Sequence, residues 1–177
     1  MAGLNDLLKN LPIDDIANKL GVDPGTAASG ILEGGQTILT GLQKETETEE
    51  GAQALQNALQ KHAGEKTVTS AADIDEEDGH NILGHIFGGQ QEKVASELNA
   101  SEKTTGGIDF GKLLPMLAPI IMNFVANQKS QKEQESDGGF DLGGLLGGLV
   151  GGGSSKGGGF DLGSIGDLIG GFFGGKK

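Results

Sequence analysis

Leu113-Leu-Pro-Met-Leu-Ala-Pro-Ile-Ile-Met-Asn-Phe-Val-Ala126 is the longest apolar stretch of the chain, and its reading decides the fold. At about 14 residues, with two prolines and an asparagine, it falls short of the roughly 20 that a bilayer span needs. A buried helix fits better. Phe110, Leu113, Leu114, Leu117, Ile120, Ile121, Phe124 and Val125 carry helical spacing, with Pro115 and Pro119 either opening the helix or kinking it. No other segment is long and apolar enough to form the centre of a domain.

The chain before it reads as shorter helices that would pack on this one. Leu4, Leu7, Leu8 and Leu11 form one stripe ending before Pro12. Pro12 is allowed in the first turn of a second helix, lined by Ile13, Ile16, Ala17 and Leu20, with Gly21 as a left-handed stop. Asp23-Pro24 reads as the cap and first residue of a third, whose stripe is Ala27, Ile31, Ile38 and Leu42, with Gly34-Gly35 as a weak spot. A glutamate-rich connector precedes a helix with Ala52, Leu55, Ala58 and Leu59 up to Gly64, and a polar loop then runs to Asp78. Ile82, Leu83, Ile86 and Phe87 make a short helix closed by Gly88-Gly89, and Val94, Ala95 and Leu98 make another. β-branched residues never alternate over a useful length, so the expected class is all-α.

Two repeats organise this string. Ile16-Ala-x-x-Leu20-x-x-Asp23-x-x-Thr26 returns 78 residues later as Val94-Ala-x-x-Leu98-x-x-Ser101-x-x-Thr104, each time followed by an apolar helix. That pattern predicts two similar helical units, packed about a pseudo-twofold axis or stacked in series. Nearer the C-terminus, Gly-Gly-Phe140-Asp141-Leu142-Gly143 returns at offset 20 as Gly-Gly-Phe160-Asp161-Leu162-Gly163.

Composition sets the boundaries. Of 34 glycines, 18 fall between Gly138 and Gly175, which separates a helical domain over 1–127, a polar linker over 128–137 and a glycine-rich, low-complexity tail over 138–177. The net charge of −12 sits on the domain: residues 1–127 hold 8 Lys against 19 acids, the remainder 5 against 6. There is no Arg, Trp or Tyr, so the bidentate and stacking groups of nucleic-acid readers are missing and nucleic acid is not an expected partner. Zero cysteines exclude disulfides, thiol nucleophiles and Cys-ligated metals. The amino terminus lacks a basic region followed by an unbroken apolar one, so no secretory signal is read and a cytoplasmic location is expected.

Asp78-Gly-His-Asn-Ile-Leu-Gly-His-Ile-Phe-Gly-Gly89, Val94-Ala-x-x-Leu98 and Leu113-Leu-Pro-Met-Leu-Ala-Pro-Ile-Ile-Met122 together resemble the bacterial DUF937 family, which includes YidB-like proteins. Leu-Pro12-Ile-Asp-x-Ile16-Ala-x-x-Leu-Gly-Val-Asp-Pro24 is similar to the family's first unit, so the resemblance covers nearly all of 1–127. It implies an all-helical fold and supplies no catalytic residues.

Candidate chemistry is sparse. Asp73, Asp75 and Glu77 resemble the opening of a calcium loop, but Asp78 stands where glycine is wanted and Gly84 where a bidentate glutamate is wanted. An acidic cap on the helix starting near Gly79 is the simpler reading. His80 and His85, five apart, point about 140° away from each other on a helix and do not grip one metal, and His62 is close to neither in sequence. No G-x-S-x-G elbow or phosphate loop is present. The expected protein is therefore no enzyme and needs no cofactor or metal.

The functional expectation rests on the tail. Phe140, Leu142, Leu145, Leu146 and Leu149 in its first copy, and Phe160, Leu162, Ile165, Leu168, Ile169, Phe172 and Phe173 in its second, are too apolar for a spacer. Glycine at this density costs about 1 kcal/mol per residue relative to alanine, so neither copy should hold a helix alone. They predict an arm that borrows a surface, from a second copy or an unknown protein partner, with a membrane surface as the alternative.

Overall fold

The computed structural model describes residues 3–66, 68–100, 107–135 and 141–151. Among them are eight α-helices and no strand: α1 (Leu4–Asn10), α2 (Ile13–Leu20), α3 (Pro24–Glu45), α4 (Glu49–His62), α5 (Glu76–Phe87), α6 (Gln91–Asn99), α7 (Phe110–Glu135) and α8 (Leu142–Gly151), with a 3-10 turn at Ala71–Asp73 before α5. The class is all-α, as the spacing of apolar residues predicts.

Local chemistry sets the ends. Gly21 stops α2 with φ +72°, a conformation other residues rarely adopt. The Asp23 carboxylate accepts hydrogen bonds from Gly25 N (3.1 Å) and Thr26 N (3.2 Å) to start α3, and Pro24 occupies the first helical position. The Thr26 hydroxyl also donates to that carboxylate and, with the backbone donors, holds Asp23 below the ordinary carboxylate range. Asn99 at the end of α6 accepts from Phe110 N at 2.8 Å, which ties the start of α7 to the helix before it.

The core lies between α3 and α7. Leu113, Leu114, Leu117, Ile121 and Val125 of α7 are buried against Ile31, Ile38, Leu39 and Leu42 of α3 and against Ile82, Leu83, Ile86 and Phe87 of α5. Gly34-Gly35 does not weaken α3, which runs through unbroken; it is the seat that lets neighbours approach. A Cβ at Gly34 would lie 3.0 Å from Leu117 Cδ1, and one at Gly35 would lie 3.1 Å from Leu4 Cδ2. Both prolines fall inside α7. Pro119 has no N–H to give the Pro115 carbonyl, and at that carbonyl α5 crosses with Gly79, where a Cβ would overlap the Pro115 backbone.

By length and composition Phe110–Gln131, 22 residues, is long and apolar enough to cross a membrane, which corrects the shorter span counted from the sequence. Of its apolar window, 72% is buried inside the fold, where it forms the core.

The two units are reciprocal. In each, a short helix (α2, α6) leads into a long one (α3, α7) and packs on it, as α1 packs on α3 and α5 on α7. The fourth helix of each unit then crosses over: α4 lies along α7, and α8 lies along α3. The stretch expected as a linker over 128–137 is helical through Glu135, since Gln128 to Glu135 holds no glycine or proline.

Candidate functional site

The strongest candidate surface is the seat of α8 on α3. Asp141 precedes the helix, its carbonyl accepts from Leu145 N at 3.1 Å, and a Cβ at Gly143 would stand 3.4 Å from its Oδ1. Leu142, Leu145, Leu146 and Leu149 are all buried, forming the i, i+3, i+4, i+7 stripe of an amphipathic helix. On the side facing the end of α3, a Cβ at Gly143 would stand 4.0 Å from Thr46 Cβ, and one at Gly147 would stand 3.4 Å from Gln43 Nε2. Gly148 looks into open space. The small residues thus let the α8 backbone approach the end of α3 while the leucines fill the seat. Of the residues expected to form the arm, these four leucines are brought together. Phe140, Phe160, Leu162, Ile165, Leu168, Ile169, Phe172 and Phe173 lie outside the described residues.

A second feature was not visible as a cluster in the sequence. His62, at the end of α4, is only 7% exposed. Its Nδ1 lies 3.1 Å from Glu65 Oε2, and its Nε2 lies 3.4 Å from Asp78 Oδ2 in the first turn of α5. Asn123 of α7 donates through Nδ2 to the carbonyls of His62 (3.2 Å) and Glu65 (3.1 Å). These groups border a cleft of about 740 Å³ with Lys61, Lys66, Thr69, Asp73 and Asp75 on its walls. Each imidazole nitrogen thus lies near a carboxylate, and with Asn123 the group links α4, the following loop, α5 and α7. The one local sign of it was Glu65 at i+3 from His62.

The acidic run resolves as helix-starting chemistry. Asp75 accepts from Asp78 N at 3.0 Å, and Glu76, Glu77 and Asp78 occupy the first turn of α5, where carboxylates complement the helix dipole. Among the described residues, no three His, Asp or Glu side chains are grouped so as to hold a metal ion. His80 and His85 diverge: His80 lines a small cavity against α6 and α7, and His85 a groove of about 370 Å³ between α4 and α5, floored by Met122. Glu45, in the same groove, is pushed above the usual glutamate range by burial, partly opposed by His85.

The model of a bacterial protein family of unknown function, DUF937, matches residues 3–128. No curated protein and no solved structure matches the chain.

Proposed function

The chain belongs to the DUF937 family, and we propose that it is a non-enzymatic helical assembly protein whose glycine-rich C-terminal segment is a docking arm. One observation carries this reading. The first Phe-Asp-Leu-Gly copy supplies α8, a helix half made of glycine that buries four leucines on the face of another helix. Such a sequence forms a helix only where a surface is lent to it. The second copy has the same opening and similar apolar spacing through Phe173, so each chain carries two docking segments for one α3 face. The partner for the surplus is another copy of the chain or a protein with a comparable helical face.

Light scattering over a concentration series tests this, comparing the full chain with one ending at Gly153, which keeps α8 and lacks the second copy. Larger species are expected from the full chain than from the shortened one, which keeps α8 and loses the second docking segment. Two identical monomers would count against assembly. Tail-dependent co-sedimentation with anionic vesicles, without self-association, would overturn the reading in favour of a membrane surface contacted through the tail and Lys176-Lys177.

A further inference from the structure

We infer that α8 is an exchangeable element: the α3 face of one molecule can be filled by α8 of a second copy, joining two chains by a reciprocal trade of last helices. The inference rests on the docking-arm reading and names its partner and surface.

Three observations carry it. First, α8 spends its apolar face on α3 and touches α7, the helix it follows, only slightly. Its seat belongs to sequence 97 positions upstream, counting from Glu45 to Leu142, and nothing in that contact requires the two helices to share a chain. Second, five of its ten residues are glycine, so α8 off its seat has little reason to remain helical and no core of its own. Its detachment gives up the leucine packing and the helix's own backbone bonds, and each of these can be remade on a second copy. Third, the fold already contains the same trade internally, since α4 of the first unit lies on α7 of the second while α8 of the second lies on α3 of the first. Helix exchange between units is the way this architecture closes, and exchange between identical molecules reproduces each contact with no new interface.

At low concentration the chain's own α8 wins, because tethering holds it near its seat at high effective concentration. Raising the concentration favours the exchanged pair by mass action.

The chain has no cysteine, so a pair placed across the seat reports without background. Thr46 Cβ and the position of a Cβ on Gly143 are 4.0 Å apart, inside the range that a disulfide spans. Full-length T46C/G143C is equilibrated reduced at a series of concentrations, oxidised, and resolved under denaturing conditions. The expected result is a within-chain link at low concentration, joined by a between-chain link whose share rises about tenfold for a tenfold increase in concentration while dimer is the minor species. The within-chain product, once isolated, should no longer associate until reduced. T46C/G148C, whose second position faces open space, should give neither link. If only within-chain links form while the unmodified chain still associates, exchange is wrong and docking rests on the second tail copy alone. If the unmodified chain stays monomeric and only within-chain links form, the docking-arm reading falls as well. Absence of any link would mean that α8 does not occupy α3, which also overturns the inference.

Discussion

α4 and α8 hold matching places, each lying on the long helix of the opposite unit, yet different physics keeps them there. α4 starts with Thr48 accepting from Gly51 N at 3.1 Å, and its end is clasped by the His62 contacts and the two bonds from Asn123. α8 has a composition hostile to helix formation and depends on four leucines. A position in a fold can thus be filled by a helix with its own stability or by one that exists only while docked. The second kind is the natural place for a reversible function, since releasing it leaves the rest of the core standing.

The most forceful attempt to break this contrast is a matched pair of truncations at Leu59 in α4 and Leu146 in α8, both fully buried. Leu59→Ala is expected to cost about 3 kcal/mol of global stability, read from the urea midpoint. Leu146→Ala should abolish amide protection across α8 while shifting the global midpoint less than half as far. Equal global losses would dissolve the distinction.

A smaller effect, about 2 kcal/mol, is expected for Asn123→Ala, which removes the side-chain donor shared by the carbonyls of His62 and Glu65 and leaves the former only the 3.4 Å bond from Glu65 N. Hydrogen exchange should quicken at the end of α4 and stay unchanged in α8; the reverse pattern would show that the clasp does not distinguish the two helices.

Gly148→Ala sharpens the contrast from the other side. With no atom in the way, alanine should stabilise α8 by about 1 kcal/mol through helix propensity alone, slowing its amide exchange while leaving the equilibrium share of between-chain links unchanged, because α8 is docked in both forms.

The smallest effect concerns Glu45, whose raised pKa means that folding favours the neutral acid. The penalty on the charged form is present above the folded pKa and is relieved as pH falls through it. Glu45→Gln should therefore raise Tm slightly at neutral pH, with the gain shrinking as the medium is acidified into the glutamate range. A gain that grew on acidification would contradict the burial of this end of α3.

Where structure is local, the residues announced it. Gly21 and Asp23-Pro24 marked the end of α2 and the start of α3 because stops and caps act within a turn, and the paired Ile16-Ala17 and Val94-Ala95 motifs fall on α2 and α6, the two short helices that lead into α3 and α7. Gly34-Gly35 was misleading: a helix-weakening pair by propensity is a close-approach site by tertiary context, which only Leu117 and Leu4 reveal. The four leucines of α8 were readable as a face, whereas α3 as its seat was not, since periodicity records that a surface must be covered and not by what. Likewise Asp78 meets His62 only because α4 and α5 both pack on α7.

The crossing of the two units also bears on how the molecule comes into being on the ribosome. When Pro24–Glu45 has emerged, the helix that covers its flank has not been synthesised, and the support on which Glu49–His62 will lie, Phe110–Glu135, is still to come. Neither half can finish on its own schedule. The first unit therefore closes only after Phe110–Glu135 and then Leu142–Gly151 have emerged, and until then the growing chain presents an uncovered greasy flank to whatever is nearby.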